Sequence, residues 1–231
     1  MALTRVTITG ADDRVDPAAL AALSWDFPFV EWGILFSRSR EGSSRYPGQE
    51  WRARLFDTWS RPSGWNMKLA AHFCGSIARS FLAGDDAPLD DLSAHYRRLQ
   101  LNGWGPGARF PDLALRDDRE FVLQVRSAEH LQEATNAAAA VTASVSALWD
   151  CSGGRGVEPS DWPAAPDGLR IGYAGGIGPD NVTDVLRTLG FERGDYWIDM
   201  ESGVRTDDRF DLDKVRKVLE AASPFIQGWV R

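Results

Sequence analysis

Two apolar runs in the C-terminal part of the chain end at pairs of small residues. Leu169 to Ala174 stops at Gly175-Gly176, and Tyr196 to Met200 is followed, past Glu201, by Ser202-Gly203. At such turns backbone N–H groups can approach an anion with no Cβ in the way. Between the two runs, Pro179 and Asp180 open a segment with Val182, Val185, Leu186 and Leu189 at helical spacing, and Gly190 closes it. Leu169 to Val204 therefore reads as strand, turn, helix and strand, the content of one βαβ unit. Each turn alone would be only a tight turn; two of them one βα unit apart read as a phosphate cradle formed by Gly175, Gly176, Ser202 and Gly203.

Other polar residues stand where apolar runs end. Asp150 closes SVSALWD and precedes the glycine loop SGGRGVEPSDWP. A carboxyl partly withdrawn from water there suits a general acid. A capping or loop-orienting aspartate fits the same position, and the spacing does not separate the two. His72 and Cys74 end another run and offer an imidazole or a thiolate as base; a hydrogen-bonded core histidine and a small buried thiol fit equally. Thr7 and Thr9 lie in the first run, Ser37 with Arg38, Arg40 and Arg45 after the second, and Asn102, Gln124 and Arg126 after later ones. Lys68 is either a buried lysine awaiting a carbonyl or a residue of the far rim, and its place several residues before the strand end favours the rim.

The elements that must position these residues follow from periodicity. Leu3 to Thr9 alternates as a strand should, and Asp16-Pro17 caps a short helix through Leu23. FVEWGILF (29–36) has the near-continuous apolar character of a parallel strand buried on both faces. A helix is expected over Gly48 to Trp59, a strand over Asn66 to Phe73, and helices over Ser76 to Ala83 and Leu89 to Arg97. A short strand spans Arg98 to Leu101, then a loop Gly103 to Pro111 and a weak helix Asp112 to Leu115. Phe121 to Val125 and Val145 to Asp150 are strands flanking an alanine-rich helix, Ala128 to Ala140, and a final helix covers Leu212 to Ala222. Eight strands alternating with crossovers demand a parallel sheet, and 231 residues suit one α/β domain, residues 1–231, a single (β/α)8 TIM barrel. In that fold chemistry sits at the C-terminal ends of strands, and the loops after strands seven and eight commonly hold a phosphate, with a helix N-terminus adding its dipole.

Composition narrows the partners. A net charge of −7 and the absence of any basic run argue against nucleic acid, and no apolar stretch approaches the ~20 residues of a membrane span. Two cysteines, Cys74 and Cys151, in a chain this large read as reduced, so a cytoplasmic protein is the expectation. No metal or cofactor is expected; the expected partner is a phosphorylated small-molecule substrate, and the chain is a monomer or homodimer.

YAGGIGPDNV, WIDMESGV and the helix FDLDKVRKVLEAA together resemble phosphoribosylanthranilate isomerase, the barrel enzyme of tryptophan biosynthesis. The resemblance extends through LWDCSGGRGVEPSDWP, similar to the family's strand six and glycine loop, which implies that Asp150 is the general acid. GILFSRSREGSSRYPGQ resembles the family's loop after strand two and implies that Arg45 meets a substrate carboxylate, a group that suits a bidentate guanidinium. The family's first strand reads Lys-Ile-Cys-Gly, its Cys the general base of an Amadori rearrangement. Here the matching residues look like Arg5-Val6-Thr7-Ile8, so Thr7 replaces the base, and the family's His-Gly after strand four becomes Asn102-Gly103. A hydroxyl has no usable pKa for taking a carbon-bound proton near neutrality.

Two functions are thus expected. One is an isomerase of this type acting on a phosphorylated sugar derivative. The alternative is a non-isomerase paralogue that binds a phosphosugar or catalyses a different reaction at the same phosphate site.

Overall fold

Val30–Phe36 is buried along nearly its whole length, on both faces, and donates and accepts along both edges. That arrangement holds for the whole sheet. In the computed structural model, which describes residues 3–85, 87–90, 95–105, 118–190 and 195–226, eight parallel strands close into a barrel in sequence order. They are β1 (Leu3–Thr9), β2 (Val30–Phe36), β3 (Lys68–Phe73), β4 (Tyr96–Leu101), β5 (Glu120–Val125), β6 (Ser144–Trp149), β7 (Arg170–Ala174) and β8 (Tyr196–Met200). β1 seals the ring against β8, with Thr7 opposite Asp199.

The helices outside it are α1 (Pro17–Asp26), α2 (Gln49–Ser60), α3 (Gly75–Leu82), α4 (Ala87–Asp90), α5 (Ala128–Ala139), α6 (Val182–Leu189) and α7 (Leu212–Ala222). Their starts follow local chemistry. Asp16 accepts from the amide of Ala18 ahead of Pro17, Ser127 from that of His130, and Asp211 from those of Asp213 and Lys214, which satisfies amides that have no partner within the helix. Gly190, at φ 64°, ends α6 in the left-handed region that glycine tolerates.

The inside of the barrel divides in two. Val122, Leu148, Ala174 and Trp197 form an apolar cluster on the β5 to β8 side. Opposite it, the Arg98 guanidinium is buried between Glu31, 2.5 Å away, and Glu120, with its charge 4.3 Å from the Trp197 ring centroid. Arg5 also pairs with Glu31. Lys68 sits at the far rim, as expected, donating to the Pro28 carbonyl.

Two local expectations need correcting. Tyr96 and Arg97 belong to β4 and not to a helix ending at Arg97, because pairing with β3 delivers Arg98 to Glu31 and sets Tyr96 edge-on against Phe36; tertiary contacts override local propensity. After β8 an unexpected ribbon appears, β9 (Arg205–Thr206) against β10 (Arg209–Phe210), turning through Asp207 and Asp208, both at positive φ. The expected helix Asp112 to Leu115 and most of the Gly103 to Pro111 loop lie outside the described residues.

Candidate active site

At the C-terminal mouth of the barrel, the side chains that end β1, β3, β4, β5, β6 and β8 converge. Thr9, His72, Gln100, Gln124, Asp150 and Asp199 all line one cavity, which also reaches Gly175, Gly176, Ser202 and Gly203. The two glycine turns therefore stand at the same mouth. Gly178 lies against Gly203, and a Cβ added at Gly203 would overlap the Ile177 carbonyl oxygen and come within 2.9 Å of the Gly178 Cα. Only a glycine lets these two backbones meet. Among the described residues, none accepts a hydrogen bond from the amides of Gly176, Ile177, Ser202 or Gly203, so these donors are open to an anion.

Asp150 is buried where β6 ends. Gln124 Nε2 donates to its Oδ2 at 2.8 Å and the Gly154 amide at 2.6 Å, while Ser152 Oγ donates to Oδ1 at 2.8 Å. Both readings of this residue meet here, since it faces the cavity and also folds the glycine loop over it. Ser152 Oγ in turn accepts from the amides of Arg155 and Gly156. The loop packs onto the cradle, with Gly156 against Ser202 and Glu158 against Gly176.

Thr7 does not belong to the site. It is buried one layer lower and its hydroxyl donates to Glu31 Oε1 at 2.9 Å. Because inward-facing residues recur every second position along a strand, the residue at the mouth is Thr9. The motif Lys-Ile-Cys-Gly then aligns with Thr7-Ile8-Thr9-Gly10, and Gly10, at φ 95°, takes the place of the motif's glycine. The register given by Arg5-Val6-Thr7-Ile8 was two residues early.

Thr9 Oγ1 donates to Asp199 Oδ1 at 3.0 Å. Burial pushes the Asp199 carboxyl up to about 8; the Thr9 bond opposes this, and the negative charges of Glu201 and Glu31 add to it. Sequence reasoning passed over Asp199, although one carboxylate in the otherwise apolar YWIDM, in phase with Trp197, signals an inward charge at a strand end.

The other candidates divide. His72 lines the cavity, but burial lowers its pKa to about 3, so it is neutral. A Cβ on Gly33 would lie within 2.7 Å of its ring. Cys74 is a correction as a thiolate base: burial pushes its thiol up to about 11, and its sulfur accepts from Asn102 Nδ2 at 3.2 Å. It lines a second cavity beside the first, with Arg45 and Asn102. Asn102 faces both. Arg45, at φ 75°, is held by Glu201 at 2.7 Å and by Asp208 at 3.1 Å, so its charge is already partnered. Both cysteines are free. Among the described residues no group of three or more His, Cys, Asp or Glu side chains could hold a metal ion, and no helix is long and apolar enough to cross a membrane.

Comparison with known proteins agrees with this geometry. The family model for N-(5'phosphoribosyl)anthranilate (PRA) isomerase matches residues 109–221, the stretch that holds Asp150, Asp199 and both glycine turns. A curated N-(5'-phosphoribosyl)anthranilate isomerase of Zygosaccharomyces bailii is 38% identical over 80 residues, a match spanning 32% of this chain and 37% of that protein. The fold is similar to that of the phosphoribosyl anthranilate isomerase of Thermotoga maritima, with TM-score 0.59 and 18% identity over 96% of this chain and 100% of that one. The enzyme of Pyrococcus furiosus gives TM-score 0.57 and 13% identity, covering 96% and 99% of the two chains. With the barrel, the paired glycine turns and the strand-six aspartate in place, residues 109–221 carry the match to the phosphoribosylanthranilate isomerase family, while the first strand, outside that match, brings Thr9 and not a cysteine to the mouth of the barrel.

Proposed function

We propose that the chain catalyses an Amadori-type aldose–ketose isomerisation of a phosphorylated sugar derivative, with Asp150 as general acid and Asp199 as general base. The observation that carries this reading is the buried Asp199 carboxyl on the Thr9 hydroxyl, on the β1 side of the cavity that Asp150 faces from β6. A carboxyl raised to about 8 has nearly the proton affinity of an ordinary thiol, at about 8.5. It therefore supplies, beside Thr9, the basicity that a strand-one cysteine would have given.

The steps balance as follows. Asp150 gives its proton to the furanose ring oxygen, the C1–O bond breaks, and the nitrogen lone pair forms a C1=N iminium. Ionised Asp199 takes the C2 proton, and the electrons of that bond form C1=C2 as the iminium returns to an amine. The enol then becomes the ketone by moving its hydroxyl proton to C1, and the proton held by Asp199 returns through solvent to Asp150, which resets both carboxyls. The open amides of Gly176, Ile177, Ser202 and Gly203 hold the phosphate that anchors the substrate through these steps.

The test is turnover of N-(5'-phosphoribosyl)anthranilate, followed by loss of its fluorescence, with growth rescue of a tryptophan auxotroph beside it. Turnover that rises with pH through about 8 fits Asp199 as base; turnover that falls there reverses the two roles. Thermal stabilisation by phosphosugars without any turnover would instead favour the non-isomerase paralogue, a reading supported by the Thr9 hydroxyl at the family's cysteine position. No stabilisation and no turnover would end both.

A further inference from the structure

The second cavity, about 430 Å³, opens beside the first and shares Leu35, Asn102, Gln124, Gly154 and Glu201 with it. Four arginines line it: Arg40, Arg45, Arg79 and Arg126. Arg45 is neutralised by Glu201 and Asp208. The other three make no ion pair among the described residues. Arg40 lies 5.4 Å from the Tyr46 ring centroid and reaches the Tyr46 hydroxyl at 3.5 Å, and Arg126 donates to Gln124 Oε1, at 3.4 Å. The protein as a whole carries −7, so three uncompensated guanidinium groups around one chamber oppose the general sign of the surface.

A single carboxylate is matched by one bidentate guanidinium, and three exposed guanidinium groups without an acidic partner offer more positive charge than one carboxylate uses. Among the described residues the lining offers one aromatic ring, Tyr46, and one aliphatic side chain, Leu35, which gives little surface for an arene. From this charge and this lining we infer that the chain takes a ligand with a phosphate at each end, one in the glycine cradle and the other in the chamber of Arg40, Arg79 and Arg126. The inference rests on the proposed phosphate cradle and adds the second anionic subsite.

Calorimetric titration of the full chain with ribose 5-phosphate, ribose 1,5-bisphosphate and fructose 1,6-bisphosphate tests it. At low salt at least one bisphosphate binds about tenfold or more tighter than the monophosphate, the equivalent of one charge-assisted contact, and the advantage shrinks at high salt. The double variant Arg79→Ala/Arg126→Ala removes that advantage and leaves the monophosphate affinity as it was. Equal affinity for all three sugars in the unaltered chain, or equal weakening of all three in the variant, overturns the second subsite while the cradle stands. Absence of binding by all three overturns the cradle and the second subsite with it.

Discussion

In the proposed reaction, Asp199 is the residue on which acid–base chemistry at this mouth turns. Replacing it with Asn removes the titrating group and keeps an acceptor for the Thr9 hydroxyl, so turnover falls by about 10² to 10⁴ and the pH limb near 8 disappears from kcat/KM. The same variant changes stability with a defined sign. In the folded chain Asp199 keeps its proton up to about 8, whereas an unfolded Asp releases it near 3.9. The stability this group contributes is therefore complete at acid pH and is lost as pH rises through that window. In urea denaturation Asp199→Asn gains on the unaltered protein between pH 5 and pH 8. At the neighbouring position, Thr9→Cys brings a thiol to the cavity and raises turnover, whereas Thr7→Cys, one layer below against Glu31, does not; the opposite ranking in the isomerase assay would return the strand-one role to Thr7. That Asp150, Asn102, Gly175, Gly176, Ser202 and Gly203 stand around one cavity was legible from their place after apolar runs. Thr7 was misread because alternate residues on a strand look alike in sequence, and only the paired register says which layer reaches the mouth. The states of His72 and Cys74 were not legible, because burial decides them and a chain written out in line does not show it.

Among the elements, the loops after β1, β2 and β8 are tied together by one buried ion pair. Arg205 donates to the Gly10 carbonyl at 2.6 Å, to the Asp208 carbonyl at 2.6 Å and to Ser44 Oγ at 3.0 Å, and it meets Asp12 at 3.3 Å. Burial alone would raise the Asp12 carboxyl, but hydrogen bonds from Arg14, the Arg45 amide and Arg205 hold it well below the usual carboxylate range. Its contribution to stability is therefore present above about 3.9 and lost as pH falls through its lowered native value. Arg205→Met leaves buried Asp12 with Arg14 and the Arg45 amide and costs about 1 to 3 kcal/mol, measurable as a lower denaturation midpoint. KM rises in the same variant, because Arg45 and Ser202 are carried on the loops it frees. The ribbon β9–β10 that presents Arg205 was not legible: two-residue strands carry no periodicity, and the Asp207-Asp208 turn needs positive φ at residues other than glycine. The long elements were legible to within a residue or two, because FVEWGILF and the Val182, Val185, Leu186, Leu189 series have unambiguous periods.

For the whole molecule, the barrel interior carries its charge in one place. Glu31 and Arg98 are both buried, and Arg5, Thr7 and Glu120 complete their surroundings. Removing one partner of such a pair costs about 3 to 5 kcal/mol, so Glu31→Gln lowers Tm by on the order of 10 °C in a chain of this size; a scanning calorimetry trace that moves by only a degree or two would show that water reaches the barrel floor. The parallel ring itself was legible from eight strands with crossovers, since no other arrangement of that alternation buries both faces of strands such as β2. The way its interior divides into an apolar and a charged half was not, because that depends on which strands face one another across the ring.

With β1 paired to β8, the Thr9 hydroxyl reaches the Asp199 carboxyl, 190 positions away in the chain. During synthesis the first of them leaves the ribosome long before its partner is made, and β1 waits with one edge open until β8 arrives. A nascent chain halted anywhere before Asp199 emerges from the exit tunnel cannot complete the acid–base pair, however well its early strands have formed. On the proposed mechanism, catalytic competence therefore waits for β8 to be made and paired, and removing β8 abolishes it at a single step.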